Sequence, residues 1–468
     1  MTIIPARLNI EKDDIPKAIY AFAFIGIHFG IKFEFATDNP LLIYGSFPSD
    51  EDRSARIMIP VDAMLIDGGN KPTWNKISSL VILSGSRFRG SRLYREEENA
   101  IVFNFDIIGS IFYLLSRSEE YYSQARDEHN RFPHTESILY ESDCLAHPVV
   151  DHYLRLLRKL FAQLGIECEN DQKPTAILSH DVDLPIRSIK GSAKLLLVSN
   201  NSISSRFKGM YDALKSVSNF ERNPFWNFRK YCQAESGFDM KSSFNFVCPR
   251  NRSRFDPKYE IGNQNLRNEM VRLKENQFEI GLHGSYNSLL GDADIEVEKR
   301  YLEKNSGIEV QGHRAHYLRF DVASSYHKLI KAGFLYDSSI GYSETIGYRA
   351  GTGIPFRAFD IQKNRTLRLI EIPFAVMDGP LFAEFSTIEA VREKLDSLIE
   401  ETSNVHGMIG FLWHLRTAYS VDYPAWFDCY EYLLRRLNEK DFRVITPLML
   451  AQEFEEKTAD LGYDQILF

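Results

Sequence analysis

The chain has little of what several large protein classes require. Its five cysteines, Cys144, Cys168, Cys232, Cys248 and Cys429, are odd in number, widely spaced and never form a CxxC pair. Neither a disulfide framework nor a cysteine zinc site is predicted, and a reducing compartment is expected. The most apolar stretch, Ala18 to Ile31, contains His28 and falls short of the about 20 residues that a membrane span needs. It reads as a buried helix. Basic charge is not in excess, because 56 Lys and Arg face 64 Asp and Glu for a formal net charge of −8. That balance argues against a chain whose main task is neutralising a nucleic-acid backbone. The opening residues MTIIPARLNIEKDDIPK place acidic groups where a secretory signal carries basic ones, so no export and a cytoplasmic location are expected. GxSxG, HExxH and P-loop motifs are missing, which removes a serine hydrolase of that type, a zincin protease and an NTPase. Gly351-Thr352-Gly353 lacks the third glycine and the strand-to-helix context of a dinucleotide fingerprint. With 18 prolines and no repeat or low-complexity tract, neither wholesale disorder nor a solenoid is indicated.

What is present suits two folded units. Hydrophobic residues make up 44% and charged residues 26% of 468, enough apolar material for sizeable cores. The first 170 residues mix β-branched runs, such as Ser54 to Val61 and Leu80 to Leu83, with helical patterns, which predicts an α+β or α/β companion domain. Its clearest helix carries Val150, Leu154, Leu157, Phe161 and Leu164 on one stripe. A polar, turn-forming stretch from Glu167 to Pro174 then precedes a new rhythm of apolar runs alternating with amphipathic helices, the pattern of repeated β-α units. Candidate strands are Thr175 to Ser179, Ser243 to Val247, Glu279 to Leu282, Gly307 to Val310, Phe334 to Tyr336, Leu367 to Ile372, Met408 to Trp413 and Arg443 to Ile445. The boundary is placed near 172, giving a companion over 1–172 and an α/β unit over 173–468.

The chemistry gathers at the ends of those runs. In Ser179-His180-Asp181-Val182-Asp183, two carboxylates at i and i+2 point to one side of an extended chain. Such a pair needs a cation or a shared proton, although an Asx turn followed by a helix cap is an equally good local reading. His283 follows an apolar strand and offers an imidazole, with Asn287 four residues on. Gly312-His313-Arg314-Ala315-His316-Tyr317 offers a guanidinium that can orient a carboxylate, and a further imidazole. The apolar run Met408 to Leu412 ends in Trp413-His414, which suits a general acid beside an aromatic wall. In a β/α barrel such strand ends converge on one mouth.

These elements, in this order and over about residues 174 to 450, resemble the polysaccharide deacetylases of carbohydrate esterase family four. That resemblance implies a distorted (β/α) barrel and metal-dependent removal of acetyl groups from sugars. It implies Asp181 as catalytic base, Asp183 and His283 as metal ligands, Arg314 as the residue orienting the base and His414 as general acid. It also makes Asp337, Arg349, Trp413 and Tyr317 candidate substrate contacts. Two departures stand out. The usual adjacent aspartates are Asp-Val-Asp here, and the usual second histidine of the second motif is Asn287. Either Asn287 ligates through its carbonyl oxygen, or His316, which sits where the family commonly has proline, takes the third place; His316 is preferred. A lost metal site, with the barrel binding sugar silently, is the remaining alternative. The stretch Ile111 to Tyr121 with Asp127, His129, Arg131 and Phe132, then His147-Pro148-Val149-Val150-Asp151, resembles a domain of unknown function that precedes such deacetylases. Arg117, Glu120, Asp127 and Arg131 are read there as an interdomain ion network or a groove lining.

The expected function is therefore a metal-dependent hydrolase that removes an N-acyl group, acetyl first, from a sugar in bacterial surface polysaccharide assembly. The expected cofactor is one divalent ion, zinc ahead of cobalt or nickel. The expected substrate is an N-acylated sugar or its nucleotide-linked or lipid-linked precursor, with deformylation or another amide hydrolysis on the same scaffold as the alternative. No nucleic-acid partner and no transmembrane segment are expected. The segment Ile186 to Val217, with Lys190, Lys194, Arg206, Lys208, Lys215 and an apolar run at 195–198, is read as a covering helix, with peripheral membrane or diphosphate contact as the other reading.

Overall fold

Strand-forming runs in the first hundred residues pair mainly in parallel, as expected where each is followed by a covering segment. The computed structural model describes residues 1–35, 38–47, 55–77, 80–85, 90–97, 100–169, 173–189, 193, 203–215 and 220–468. Its first sheet contains β1 (Thr2–Asn9), β2 (Ile31–Phe35), β3 (Leu42–Gly45), β4 (Ile57–Ile59), β7 (Tyr94–Glu96) and β8 (Ile101–Phe103), in the order β2-β1-β3-β4-β8-β7. Only the β7/β8 pair is antiparallel. β5 (Thr73–Ile77) and β6 (Leu80–Ser84) form a separate hairpin. The apolar run from Ala18 is the helix Ile15–Phe29, started with a proline in its first turn and stopped by Gly30 at φ 67, a left-handed position that glycine occupies without strain. The expected stripe helix spans Val149–Gln163 and buries Val150, Leu154, Leu157 and Phe161, with Leu164 capping its end.

The second sheet begins at β9 (Thr175–Val182), which is buried along its whole length. It continues with β10 (Ser242–Val247), β11 (Glu279–Gly284), β12 (Gly312–Ala315), β13 (Tyr336–Asp337), β14 (Phe356–Asp360), β15 (Arg365–Glu371), β16 (Val376–Met377), β17 (Met408–Leu412) and β18 (Arg443–Ile445). The order is β14-β15-β13-β12-β11-β10-β9-β17-β16, with β18 paired to the start of β9. Every pair except β14/β15 is parallel. The hydrogen-bonded path has two ends, β14 and β16, so among the described residues the ladder is open.

One expected strand is absent. Residues 307–310 leave the helix Ile295–Ser306 through Gly307 at φ 66 and return as a loop, and the strand begins only at Gly312. The apolar pair Ile308 and Val310 packs the helix exit against the core rather than a ladder. The helix Ile203–Lys215 lies in the segment read as an insertion. It buries Gly209 and Ala213 and exposes Ile203, Phe207, Tyr211 and Leu214, while Lys190, Lys194 and 195–198 lie outside the described residues, as does position 172. No helix among the described residues is long and apolar enough to cross a membrane.

The two sheets share one continuous hydrophobic core. Tyr20 packs on Phe359 with ring centroids 5.1 Å apart and donates its hydroxyl to the Arg357 carbonyl at 2.7 Å. At the same seam Arg117 and Arg349 share Glu120, all three side chains being buried.

Candidate active site

β9 stays extended through Val182, which keeps Asp181 and Asp183 on one side. Its neighbours then bring up the partners in register. Asn245 of β10 stands opposite Asp181 and donates its amide to Asp181 Oδ1 at 3.0 Å. This reach depends on Gly281 next door, because a Cβ there would come within 2.2 Å of Asn245 Oδ1. Arg314 of β12, in register with His283 of β11, donates from Nη1 to the same Asp181 oxygen at 3.2 Å and to Ser179 Oγ at 2.8 Å. Its Nε donates to the Ser338 carbonyl at 2.9 Å and its Nη2 to Ser338 Oγ at 2.5 Å. The guanidinium is thus held at every edge, and Asp181 Oδ1 is fixed while Oδ2 faces His283 Nε2 at 3.4 Å. Burial pushes the Asp181 carboxyl up, but His283, Arg314 and His414 outweigh it and hold it below the ordinary range.

Asp183 receives the histidines. His283 Nε2 lies 3.3 Å and His316 Nε2 3.6 Å from Asp183 Oδ1. On the other oxygen, His414 Nε2 lies 3.4 Å away and Arg416 Nη1 donates at 3.3 Å. Each imidazole is oriented from behind. His283 Nδ1 bonds to the Arg314 carbonyl at 3.0 Å, so in the neutral ring Nδ1 carries the proton and Nε2 a lone pair. His316 Nδ1 faces Asp256 Oδ1 at 3.4 Å, and His414 Nδ1 bonds to Asp378 Oδ1 at 2.6 Å. These are the supports that metal-binding or proton-donating histidines need. Burial lowers the His414 pKa, yet Asp378 reverses this and the net shift is upward.

The residues present suit a divalent cation. Asp183 Oδ1 is buried and accepts no hydrogen bond, and two imidazole lone pairs converge on it. A carboxylate oxygen and two unprotonated ring nitrogens repel one another unless a cation or proton lies among them. The ligand atoms of Asp183, His283 and His316 all lie within 4.8 Å of one another. Two nitrogens and one carboxylate oxygen match the usual zinc donor set. Of the two alternatives for the third ligand, His316 is the one that meets the other two. Asn287 turns its carbonyl oxygen to Arg319 Nη1 at 3.2 Å.

The remaining sequence candidates divide. Tyr317 is 38% exposed at the rim, in a left-handed conformation at φ 61, and its carbonyl accepts from Arg131 Nη1 of the companion at 3.1 Å. Its ring joins His129, Phe255 and Tyr286 in an aromatic cluster, with Phe255 and Tyr286 stacked at 4.2 Å. Asp337, Arg349 and Trp413, the other candidate substrate contacts, are buried. Asp337 is taken up by His313 at 2.5 Å and by Ser339. Arg349 bonds to Glu120 and the Gly341 carbonyl, so Arg117, Glu120 and Arg349 form a buried ion network, while Asp127 pairs with Arg131 at 2.6 Å. Trp413 sits behind the cleft, its carbonyl bonded to His180 Nδ1 at 2.8 Å.

Sequence reasoning missed Asn245, Asp256, Asp378 and Arg416. Asp256 and Asp378 stand in loop and helix-start positions with no motif around them, and only cross-strand register against Asp181 could have singled out Asn245.

A family of unknown function, DUF7033, matches residues 8–165, about a third of the chain. No curated protein matches it significantly. Among solved structures, a Mycobacterium smegmatis protein assigned as a polysaccharide deacetylase is 15% identical with a TM-score of 0.40, over 62% of this chain and 92% of that one. Peptidoglycan deacetylase PdaC of Bacillus subtilis, in a substituted form, is 11% identical with a TM-score of 0.31, over 63% and 98%. A CE4 family pseudoenzyme of Bacillus anthracis is 11% identical with a TM-score of 0.30, over 61% and 67%.

Proposed function

We propose that this chain is a metal-dependent hydrolase that removes an N-acyl group, acetyl first, from a sugar or a nucleotide-linked or lipid-linked sugar precursor. The observation that carries this reading is the buried, unbonded Oδ1 of Asp183 facing two histidine nitrogens, one β-strand step from a separately held Asp181. Asp183, His283 and His316 would hold the ion, zinc ahead of cobalt or nickel. When bound, the ion supplies positive charge that polarises the acyl oxygen and makes water more acidic.

The chain's own residues supply the proton transfers. Asp181 takes a proton from the attacking water, and the Arg314 and Asn245 contacts keep its Oδ1 fixed so that Oδ2 meets that water. The C–O bond forms and the C–N bond breaks. His414, braced by Asp378, delivers a proton to the departing amine. A base held ionised beside an acid held protonated is the arrangement such a reaction needs at neutral pH. Tyr317 and the aromatic cluster around it form the wall on which a sugar ring can lie. The exposed stripe on the helix Ile203–Lys215, tied to Tyr419 through Asp212, supports including lipid-linked precursors, with peripheral membrane contact. Residues 1–172 and 173–468 are the companion and catalytic units of this proposal, the latter a distorted (β/α) barrel with an open edge.

The test is release of acetate, and of formate from N-formyl analogues, from N-acylated amino-sugar oligomers and from nucleotide-linked and lipid-linked amino sugars by zinc-loaded protein. Asp181→Asn is expected to abolish release while zinc content stays at the wild-type level. Full activity in that variant would overturn the assignment of the base, and unchanged zinc content in Asp183→Ala would overturn the ligand set.

A further inference from the structure

Three ligand-bearing side chains meet at the seam between the companion and the second sheet, sharing no residue with the cleft. His147 stands in the turn before the helix Val149–Gln163, His152 lies in that helix's first turn, and Glu401 lies in the helix Ile388–Asn404. His147 Nδ1 is 2.9 Å and His152 Nε2 2.7 Å from one and the same oxygen, Glu401 Oε1. The three ligand atoms lie within 4.8 Å of one another. Side-chain exposure is 50% for His147, 17% for His152 and 25% for Glu401, so the cluster is walled on the helix side and open to solvent at His147.

We propose that His147, His152 and Glu401 form a second divalent-ion site, of zinc class, that clasps the companion to the helix Ile388–Asn404. Two imidazoles and one carboxylate make a donor set that favours zinc over magnesium or calcium. In a tetrahedral zinc site neighbouring ligand atoms lie about 3.3 Å apart. The present contacts therefore need to open by only about half an ångström, with each imidazole presenting a lone pair where it now donates. The backbone already holds the three segments together. Tyr348 donates its N–H to the Leu145 carbonyl at 2.7 Å and shares a hydroxyl bond with Thr402 at 2.7 Å, linking the chain just before His147 to the residue after Glu401. A site built across preset elements costs little to organise.

The test counts zinc in the full-length protein after metal stripping, reloading with zinc sulfate and desalting. The expected content is two ions in the wild type, one in Asp183→Ala/His283→Ala, one in His147→Ala/His152→Ala and none in the fourfold variant. Zinc is also expected to raise the unfolding temperature of Asp183→Ala/His283→Ala by several degrees, and to leave it unmoved once Glu401→Gln is added. Equal zinc content with and without His147 and His152, or an equal shift with and without Glu401, would overturn the second site. Loss of the cleft ion alone would instead appear as unchanged content between wild type and Asp183→Ala/His283→Ala.

Discussion

Asp378 grips His414 twice: its Oδ1 lies 2.6 Å from the ring Nδ1 and its Oδ2 accepts the backbone N–H at 2.8 Å. The ring cannot rotate without breaking the first bond, and its Nε2 is thereby aimed at the cleft. Asp378→Asn is expected to lower kcat roughly 100-fold with little change in KM, because a positioned general acid contributes about 10²–10⁴-fold. Steady-state rates on an N-acetylated amino sugar check this. A variant with wild-type kcat would show that His414 donates no proton in the slow step.

Asp256 stands to His316 as Asp378 stands to His414. Burial raises the Asp256 carboxyl, but His316 and the amides of Tyr286 and Ser253 bring it down to about 2, so it is a carboxylate across the working pH range. Asp256→Asn is expected to weaken zinc binding in the cleft about 10- to 100-fold, read by competition with a chelator. Unchanged affinity would mean that the ring is held by its packing against His283 and Tyr317 alone.

Glu279 is buried at the far end of β11, where it accepts from the Leu448 amide at 2.9 Å and the Tyr336 hydroxyl. Burial pushes its pKa up to about 7. A raised folded-state pKa stabilises fully below the unfolded value of 4.5, and that stability is lost as pH rises through about 7. Glu279→Gln keeps the bond from the Leu448 amide through its oxygen and reverses the one to Tyr336, its amide nitrogen donating where the carboxylate accepted. It is expected to gain up to about 3 kcal/mol at pH 8 and to remove this part of the pH slope between pH 5 and 8. Thermal unfolding of both proteins at several pH values checks it, and parallel curves would show that Glu279 is ionised in the fold.

Glu120 links two segments distant in the chain through buried charge, pairing with Arg117 and Arg349. Burial raises its carboxyl, but Arg349 and Arg117 together hold it at about 2. Glu120→Ala leaves the buried Arg349 guanidinium without its carboxylate, while Arg117 keeps Glu119 at 2.9 Å, and it is expected to cost about 3–5 kcal/mol, measured by urea unfolding. A loss below 1 kcal/mol would mean that water reaches the Arg349 guanidinium. The depressed carboxyl also stabilises only above its unfolded value, so the wild type is expected to lose this contribution as pH falls from 4.5 towards 2.

Much of the scaffold was readable from local pattern. The runs at Thr175, Ser243, Glu279 and Met408 are strands because short, mainly apolar segments bury on both faces of a parallel sheet. Gly307 to Val310 misled because an apolar run that short reads the same in a ladder as in a helix exit, and the glycine that ended the helix decided it. Trp413 and Arg349 were legible as aromatic and cationic side chains near strand ends, but their packing on Tyr430 and bonding to Glu120 were not, because those partners lie far away in the chain.

The sequence by itself determined the order of Asp181, Asp183, His283, Arg314 and His414 along alternating apolar and amphipathic segments, because periodicity and strand-end placement are local properties. Only the tertiary structure brings His316 to Asp183 across two strands and turns the Asn287 oxygen to Arg319, because such contacts depend on which segments meet in space. It likewise supplied Asn245, Asp256 and Asp378, whose roles arise from register and from contacts between segments far apart in the chain. Charge partners chosen across space leave no spacing for a linear reading to find.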